Sequence, residues 1–319
     1  MQIEMLSSTL IKREKRRLIP VIVIIVGFTI VYQFIFSTSL KRKVVASRRE
    51  SCYPDKMFTA RDASYMLFGD GELDTDAEKQ LHKYILAMTS TQTPGEPRVA
   101  GSAEKRHYSQ IGQSQYVDKL LKGRRNGVFL ECGASDGVHL SNSLFFEIHR
   151  NWTGILIEAS PLRLKSLIKR NRNAFVVRSC LSITRKPEIM LFAKPENVAG
   201  GLSSSLPSST IKRFMRRSKT NDLSETYVQC FPLISILDAL DIHHIDYFSL
   251  DVEGAEIGIL KTVDWTKLTV DVFTIEYNGS LNKLRQLRAI FNETGLYREV
   301  RLLPGGSERS GQDVVFVHL

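Results

Sequence analysis

Between Val128 and Gly137 the chain reads VFLECGASDG, and this stretch narrows the choice of fold more than any other. Apolar residues run into an acid, then come two glycines four apart with a second acid between them. A buried strand that ends in a glycine turn and feeds a helix has this pattern. Gly133 predicts a tight backbone turn where a side chain would block a ligand. Free N–H groups at the start of the following helix would favour a polar or anionic ligand. Glu131 and Asp136 set carboxylates beside the turn, where a ribose or an ammonium could be held. A plain αβ turn without a ligand has the same appearance.

Strand and helix patterns alternate from there on. The run GILIEAS, Gly154 to Ser160, is apolar and ends in Glu158; Ser160 suits an N-cap and Pro161 a first helical position. Leu164, Leu167 and Ile168 supply the buried face of that helix. Ala174 to Val177 reads as a third strand and Ile189 to Phe192 as a shorter fourth. Ile245 to Asp251, Val270 to Glu276 and Val314 to Val317 follow, with helices around Ile234–Leu240 and Leu284–Ile290. Upstream, Thr75–Glu78 is a capping-box pattern ahead of Leu81, Tyr84, Ile85 and Met88 at helical spacing. Thr89 to Gly101 reads as a linker, and Tyr116 to Leu121 as a helix leading into the first strand. This order predicts an α/β fold whose doubly wound, mostly parallel sheet is covered on both faces. Residues 199–224 interrupt it with a glycine- and serine-rich loop and a basic run, Lys212 to Lys219. That segment suits a solvated loop, or else a lid or docking patch for an acidic partner.

Four predicted strands end in acids: Glu131, Glu158, Asp251 and Glu276. In open α/β sheets ligands sit at the carboxyl ends of the strands, so acids there can share one crevice. Glu158 lies 25 residues beyond Gly133, about the spacing at which an acid meets ribose hydroxyls. Dinucleotides and S-adenosylmethionine are both held in this way. The dinucleotide fingerprint, Gly-x-Gly-x-x-Gly, needs a middle glycine where Ser135 stands, which counts against a nicotinamide cofactor. His243 and His244 precede their strand at the end away from such a crevice; His139 stands nearer to it.

The N-terminal part suggests a membrane. Leu18 to Phe36 carries no formal charge and would span roughly 28 Å as a helix, close to a hydrocarbon core of about 30 Å. A transmembrane helix is expected, with a cleaved signal peptide or a buried core helix as alternatives. Basic residues flank both ends of the run, so charge alone does not orient it. Asn151-Trp-Thr153, Asn278-Gly-Ser280 and Asn292-Glu-Thr294 fit the glycosylation pattern and favour a lumenal body. The formal net charge is +10. Its basic clusters sit beside the membrane run and in one loop, not in a stripe interleaved with aromatics, so nucleic acid is not an expected partner. Cys52, Cys132, Cys180 and Cys230 lack metal-ligand spacing; they suit disulfides in a lumen or buried thiols. The expected domains are a basic tail at 1–17, the membrane helix at 18–36, a stalk and lead-in at 37–105 and an α/β domain at 106–319.

GASDG followed by DVEGAE, with IEAS between them, resembles the FkbM family of S-adenosylmethionine-dependent methyltransferase domains over about residues 110–319. The resemblance implies a seven-strand doubly wound sheet. It implies that Glu131, Gly133 and Asp136 line the methionine end of S-adenosylmethionine, that Glu158 holds ribose, and that Asp251 and Glu253 face the reacting groups. The layout and the texture ECGASDGVHLSNSLFFE…NWTGILIEASP are also similar to the Star-like membrane proteins. That likeness implies a type II protein of the endoplasmic reticulum, Golgi, endosome or plasma membrane. Its expected role is export or sorting of transmembrane cargo such as growth-factor precursors or receptors. The competing expectation is a membrane-anchored O-methyltransferase acting on a glycan, lipid or other hydroxyl.

Overall fold

The computed structural model describes residues 75–93, 107–194, 200–208, 210–212, 224–304 and 312–319. The expected membrane run, the stalk and most of the basic run lie outside these residues. Among the described residues no helix is long and apolar enough to cross a membrane.

Helix α1 (Thr75–Ala87) leads to a two-residue strand, β1 (Thr89–Ser90). Then come α2 (Gln113–Leu120), β2 (Val128–Cys132), α3 (Leu144–Arg150), β3 (Thr153–Ile157), α4 (Pro161–Lys169) and β4 (Ala174–Val177). Four strands follow: β5 (Cys180–Leu181), β6 (Glu188–Lys194), β7 (Gly201–Leu202) and β8 (Ser224–Phe231). The chain ends with α5 (Leu233–Leu240), β9 (His244–Leu250), α6 (Glu256–Lys261), β10 (Thr269–Glu276), α7 (Leu281–Thr294), β11 (Tyr297–Leu303) and β12 (Asp313–His318).

The main sheet has the order β1-β4-β3-β2-β9-β10-β12-β11. From β4 to β10 the strands run parallel, while β12 lies antiparallel to both β10 and β11, and β1 antiparallel to β4. From β2 the chain steps outward to β3 and β4, then returns to lay β9 on the other side of β2. The boundary between β2 and β9 is therefore the switch point, where ligands of such sheets bind. The register aligns Cys132, Ile157, Leu250 and Ile275 in one row. The next residues of the last three strands are Glu158, Asp251 and Glu276, so these acids leave the sheet side by side.

Aromatic side chains hold both faces. On one, Phe146 packs on Trp152 with ring centroids 4.6 Å apart and on Tyr247 at 5.4 Å. On the other, Phe291 meets Phe316 at 4.2 Å and Phe273 at 5.2 Å. Each such ring, fully buried, contributes about 1.5–3 kcal/mol. The indole N–H of Trp152 donates to the Arg124 carbonyl at 2.9 Å, so its burial leaves no orphaned donor.

Several local expectations need correction. The strand Ile189–Phe192 exists within β6, but it belongs to a second sheet of order β5-β8-β6-β7. The segment read as a linker begins with β1, paired to the sheet edge. The interruption holds β7 and the start of β8, an eight-residue strand with Tyr227 61% exposed on its outer side. Of the three apolar residues assigned to the buried face of α4, Leu164 and Leu167 are buried, whereas Ile168 is 37% exposed. Directly opposed on β5 and β8, Cys180 and Cys230 form a disulfide; Cys132 is buried and free.

Candidate functional site

A cavity of about 550 Å³ opens at the switch point, within the range of small-molecule sites. Its wall includes Glu131, Gly133, Glu158, Asp251, Glu253 and Glu276 from the main sheet and its loops. Phe192, Gly200 and Leu202 close it from the second sheet. All four strand-end acids thus face one space. Asp136 is not among the lining residues: its carboxylate accepts from the backbone N–H of Val138 at 3.0 Å and His139 at 2.8 Å, and pairs with Arg170 at 3.2 Å.

Gly133 has the left-handed φ of +83°, as a turn glycine should. The space above it, however, is taken by protein. A Cβ there would stand 1.9 Å from the Asp251 carbonyl oxygen. Gly133 lets the loop after β2 and the loop after β9 touch. No helix follows directly; α3 begins only at Leu144. The expected free N–H groups are also used, since those of Gly133 and Ala134 both donate to the Ile157 carbonyl at 3.1 Å. The anion cradle read from the sequence is therefore absent at these two residues, which serve backbone closure.

Glu131 organises the loop behind the turn. Its carboxylate accepts from Ser141 Oγ at 2.9 Å, from the Asn142 N–H at 2.7 Å and from Ser143 Oγ. The fully buried Arg172 donates to Ser143 Oγ at 3.0 Å and pairs with Glu147. Glu158 accepts the backbone N–H groups of Ser135 and Ser160, each at 2.7 Å. Burial pushes its carboxyl up to about 7, and these hydrogen bonds offset only part of that rise.

The loop after β9 is closed by Glu256, which accepts from the N–H of Val252 at 3.1 Å and of Gly254 at 3.3 Å. Gly254, at φ +128°, lies under the chain leading from β7: a Cβ would be 2.4 Å from the Ser205 carbonyl oxygen. This contact sets the second sheet's loop against DVEGAE. Lys283 Nζ reaches Glu256 at 2.7 Å and Glu276 at 3.9 Å. Burial, and then the charges of neighbouring acids, hold the carboxyls of Asp251 and Glu276 well above the usual range. Asp313, buried and bonded to the Gln113 amide at 3.1 Å, is pushed up to about 6, again by burial first.

Four buried polar atoms have no hydrogen-bond partner and belong to lining residues: Asn142 Oδ1, Ser160 Oγ, Ser179 Oγ and Glu276 Oε2. Lys283 faces the Glu276 oxygen; leaving a group unsatisfied costs about 1–3 kcal/mol, so the other three on one wall mark a place where a ligand supplies the missing partners. Sequence reasoning placed Ser160 only as a cap and Glu276 only as a strand-end acid. It passed over Asn142, Ser179 and Lys283. No local spacing announces these three; only the register of the folded sheet brings them together. His243 and His244 stand at the far end of β9, and His139 lines the cavity.

Parallel strands 4-3-2-9-10 followed by an antiparallel 12 inserted before 11 define an α/β Rossmann-like fold of the methyltransferase type. The methyltransferase FkbM domain family matches residues 131–298, just over half the chain, and the chain belongs to that family. Among solved structures, a methyltransferase FkbM from Methylobacillus flagellatus is 14% identical, over 60% of this chain and 43% of its own, with a TM-score of 0.37. A precorrin-6y C5,15-methyltransferase from Geobacter metallireducens is 13% identical over 68% of this chain and 93% of its own, with a TM-score of 0.34. Aeropyrum pernix fibrillarin, in complex with S-adenosyl-L-methionine, is 12% identical over 72% of this chain and 88% of its own, with a TM-score of 0.36. No curated protein matches the sequence. None of the relatives named here is Star-like.

Proposed function

We propose that the cavity binds S-adenosylmethionine and that the chain transfers its methyl group to a hydroxyl acceptor. The observation that carries this reading is the set of buried atoms without a partner, Asn142 Oδ1, Ser160 Oγ and Ser179 Oγ, beside acids suited to a ribose and an ammonium. Glu158, fixed by two backbone N–H groups, keeps lone pairs for ribose hydroxyls, and Ser160 and Ser179 stand on the same wall. Glu131 faces the methionine end, with Asn142 beside it. The cofactor supplies an electrophilic methyl group. The chain's own contribution is positioning, and removal of the acceptor's proton. Asp251 suits the proton-accepting role, because its raised carboxyl is a stronger base than an exposed aspartate when ionised. Glu253, on the same loop, faces the acceptor side. Asp136 keeps the turn in shape through Val138, His139 and Arg170 and has no direct part.

We place the domain in an oxidising compartment, anchored by the run 18–36. The Cys180–Cys230 disulfide favours that side of a membrane, and Asn151, Asn278 and Asn292 are all exposed. The same observation leaves room for a second reading, in which the domain is a binding platform for export or sorting of transmembrane cargo. Calorimetry of the purified full chain with S-adenosylmethionine separates the two. The methyltransferase reading expects saturable binding, weakened more than about tenfold by Glu158→Gln. Absence of heat at millimolar ligand would leave only the platform.

A further inference from the structure

The three Asn-x-Ser/Thr tripeptides differ in what the fold asks of their asparagines. Asn151 Nδ2 donates to Asn126 Oδ1 at 2.6 Å. Asn292 lies in the last turn of α7, where its carbonyl accepts the Gly295 N–H. Asn278 lies between β10 and α7, in a reverse turn closed by the Ser280 N–H on the Tyr277 carbonyl at 2.9 Å. The central residues of that turn, Asn278 and Gly279, have φ of +50° and +70°. Asparagine tolerates this left-handed backbone and glycine adopts it freely. Ser280 then caps α7, its Oγ accepting the Lys283 N–H at 3.2 Å. The turn and the cap account for the backbone of all three residues. They leave the Asn278 amide unused: among the described residues its side chain makes no hydrogen bond. Asn278 is exposed, and it also lines the cavity, so it stands on the rim.

We propose that Asn278 carries an N-linked glycan whose root stands at the mouth of the cavity. The Asn-Gly-Ser sequence supplies the acceptor nitrogen, and its exposure in the folded chain keeps the glycan in solvent. The Cys180–Cys230 disulfide independently favours the compartment where this modification occurs. The co-reactant is an oligosaccharide linked to a lipid pyrophosphate, brought by a transferase of that compartment. The bond from the sugar's anomeric carbon to the pyrophosphate oxygen breaks, and a bond from that carbon to Asn278 Nδ2 forms. The amide gives up one proton, and the lipid pyrophosphate leaves with the electron pair. Neither the hydrogen bond that closes the turn nor the Ser280 cap is disturbed, because neither uses the Asn278 side chain. The inference rests on placing the domain in an oxidising compartment and is independent of methyl transfer.

Expression of the full chain in a eukaryotic secretory host, followed by glycosidase digestion in heavy-oxygen water and peptide mass spectrometry, tests this. Glycosidase release turns a glycosylated asparagine into an aspartate carrying the heavy isotope, which separates it from the spontaneous deamidation to which Asn-Gly bonds are prone. Asn278 acquires the label. Asn278→Asp, which also tolerates the left-handed turn, migrates lighter by one glycan with unchanged circular dichroism, and Ser280→Thr keeps the glycan. Label at Asn151 or Asn292 with none at Asn278 overturns this site and keeps the lumenal placement. Label at none of the three overturns the site together with that placement. A labelled Asn278 in a chain that gives no heat with S-adenosylmethionine keeps the site and removes the methyltransferase reading alone.

Discussion

Near their amino ends β9 and β10 carry Asp246 and Asp271; at their carboxyl ends the same strands lead to Asp251 and Glu276. Arg124 pairs with both amino-end acids. Asp246 also accepts the Val128 N–H at 2.7 Å, and Asp271 meets His244 at 2.8 Å. Every carboxylate oxygen there has a partner. Burial alone would raise Asp271, but His244 and Arg124 more than offset it and hold the carboxyl below its usual range. At the other end burial prevails and both carboxyls are pushed up. Two pairs of acids on the same two strands thus serve different ends. One pair closes a structural network, and the other faces a cavity where burial disfavours the charged form. Acids alone do not mark a site; the missing partner does.

The largest effect expected from breaking this contrast comes at Gly133. Gly133→Ala drives a Cβ into the Asp251 carbonyl at a left-handed φ, and a loss of more than about 4 kcal/mol in urea denaturation is expected. A loss below about 1 kcal/mol would mean the carboxyl end tolerates rearrangement, and the rigid contrast would fail. Next in size is removal of the cation at each end. Lys283→Met leaves buried acids uncompensated and should cost about 3–5 kcal/mol. Arg124→Met should cost about 1–2 kcal/mol, because Arg124 is 43% exposed and water takes over part of its role. Equal losses would erase the distinction between the ends.

Glu158 adds a pH slope to the contrast. The Glu158 carboxyl rises from 4.5 to about 7 on folding, so the folded state holds a proton that the unfolded state has released in that window. Its contribution is fully present below about 4.5 and is lost as pH rises through about 7, by roughly 3–4 kcal/mol in all. Glu158→Gln should flatten that part of the stability curve. An unchanged slope would place the proton uptake elsewhere, for instance on Asp313, whose carboxyl rises in the same direction.

The strand-end acids were legible because parallel strands in one register must release their next residues side by side. An apolar run that stops at an acid therefore reports position as well as type. Asp136 shows the limit of that reasoning. An aspartate that caps its own turn and one that meets a ligand look the same in sequence, since both precede free N–H groups by two or three residues. Gly133 was legible as a turn, but its neighbour, the Asp251 carbonyl, comes from a strand far along the chain. Lys283 and Asn142 gave no local signal at all. The second sheet was missed because β8 begins beside the basic run and exposes Tyr227, so its apolar pattern is weak. The membrane run lies outside the described residues and stays as an expectation.

The bond between Cys180 and Cys230 has a topological consequence. It closes a ring, its two ends 50 residues apart, that contains β6, β7 and most of β8, including the strand and glycine that close the cavity from above. A protease that cuts anywhere inside that ring severs the backbone without releasing a fragment. The two pieces would migrate as one band until a reductant is added, so a nicked molecule would keep its roof tethered to the sheet beneath it.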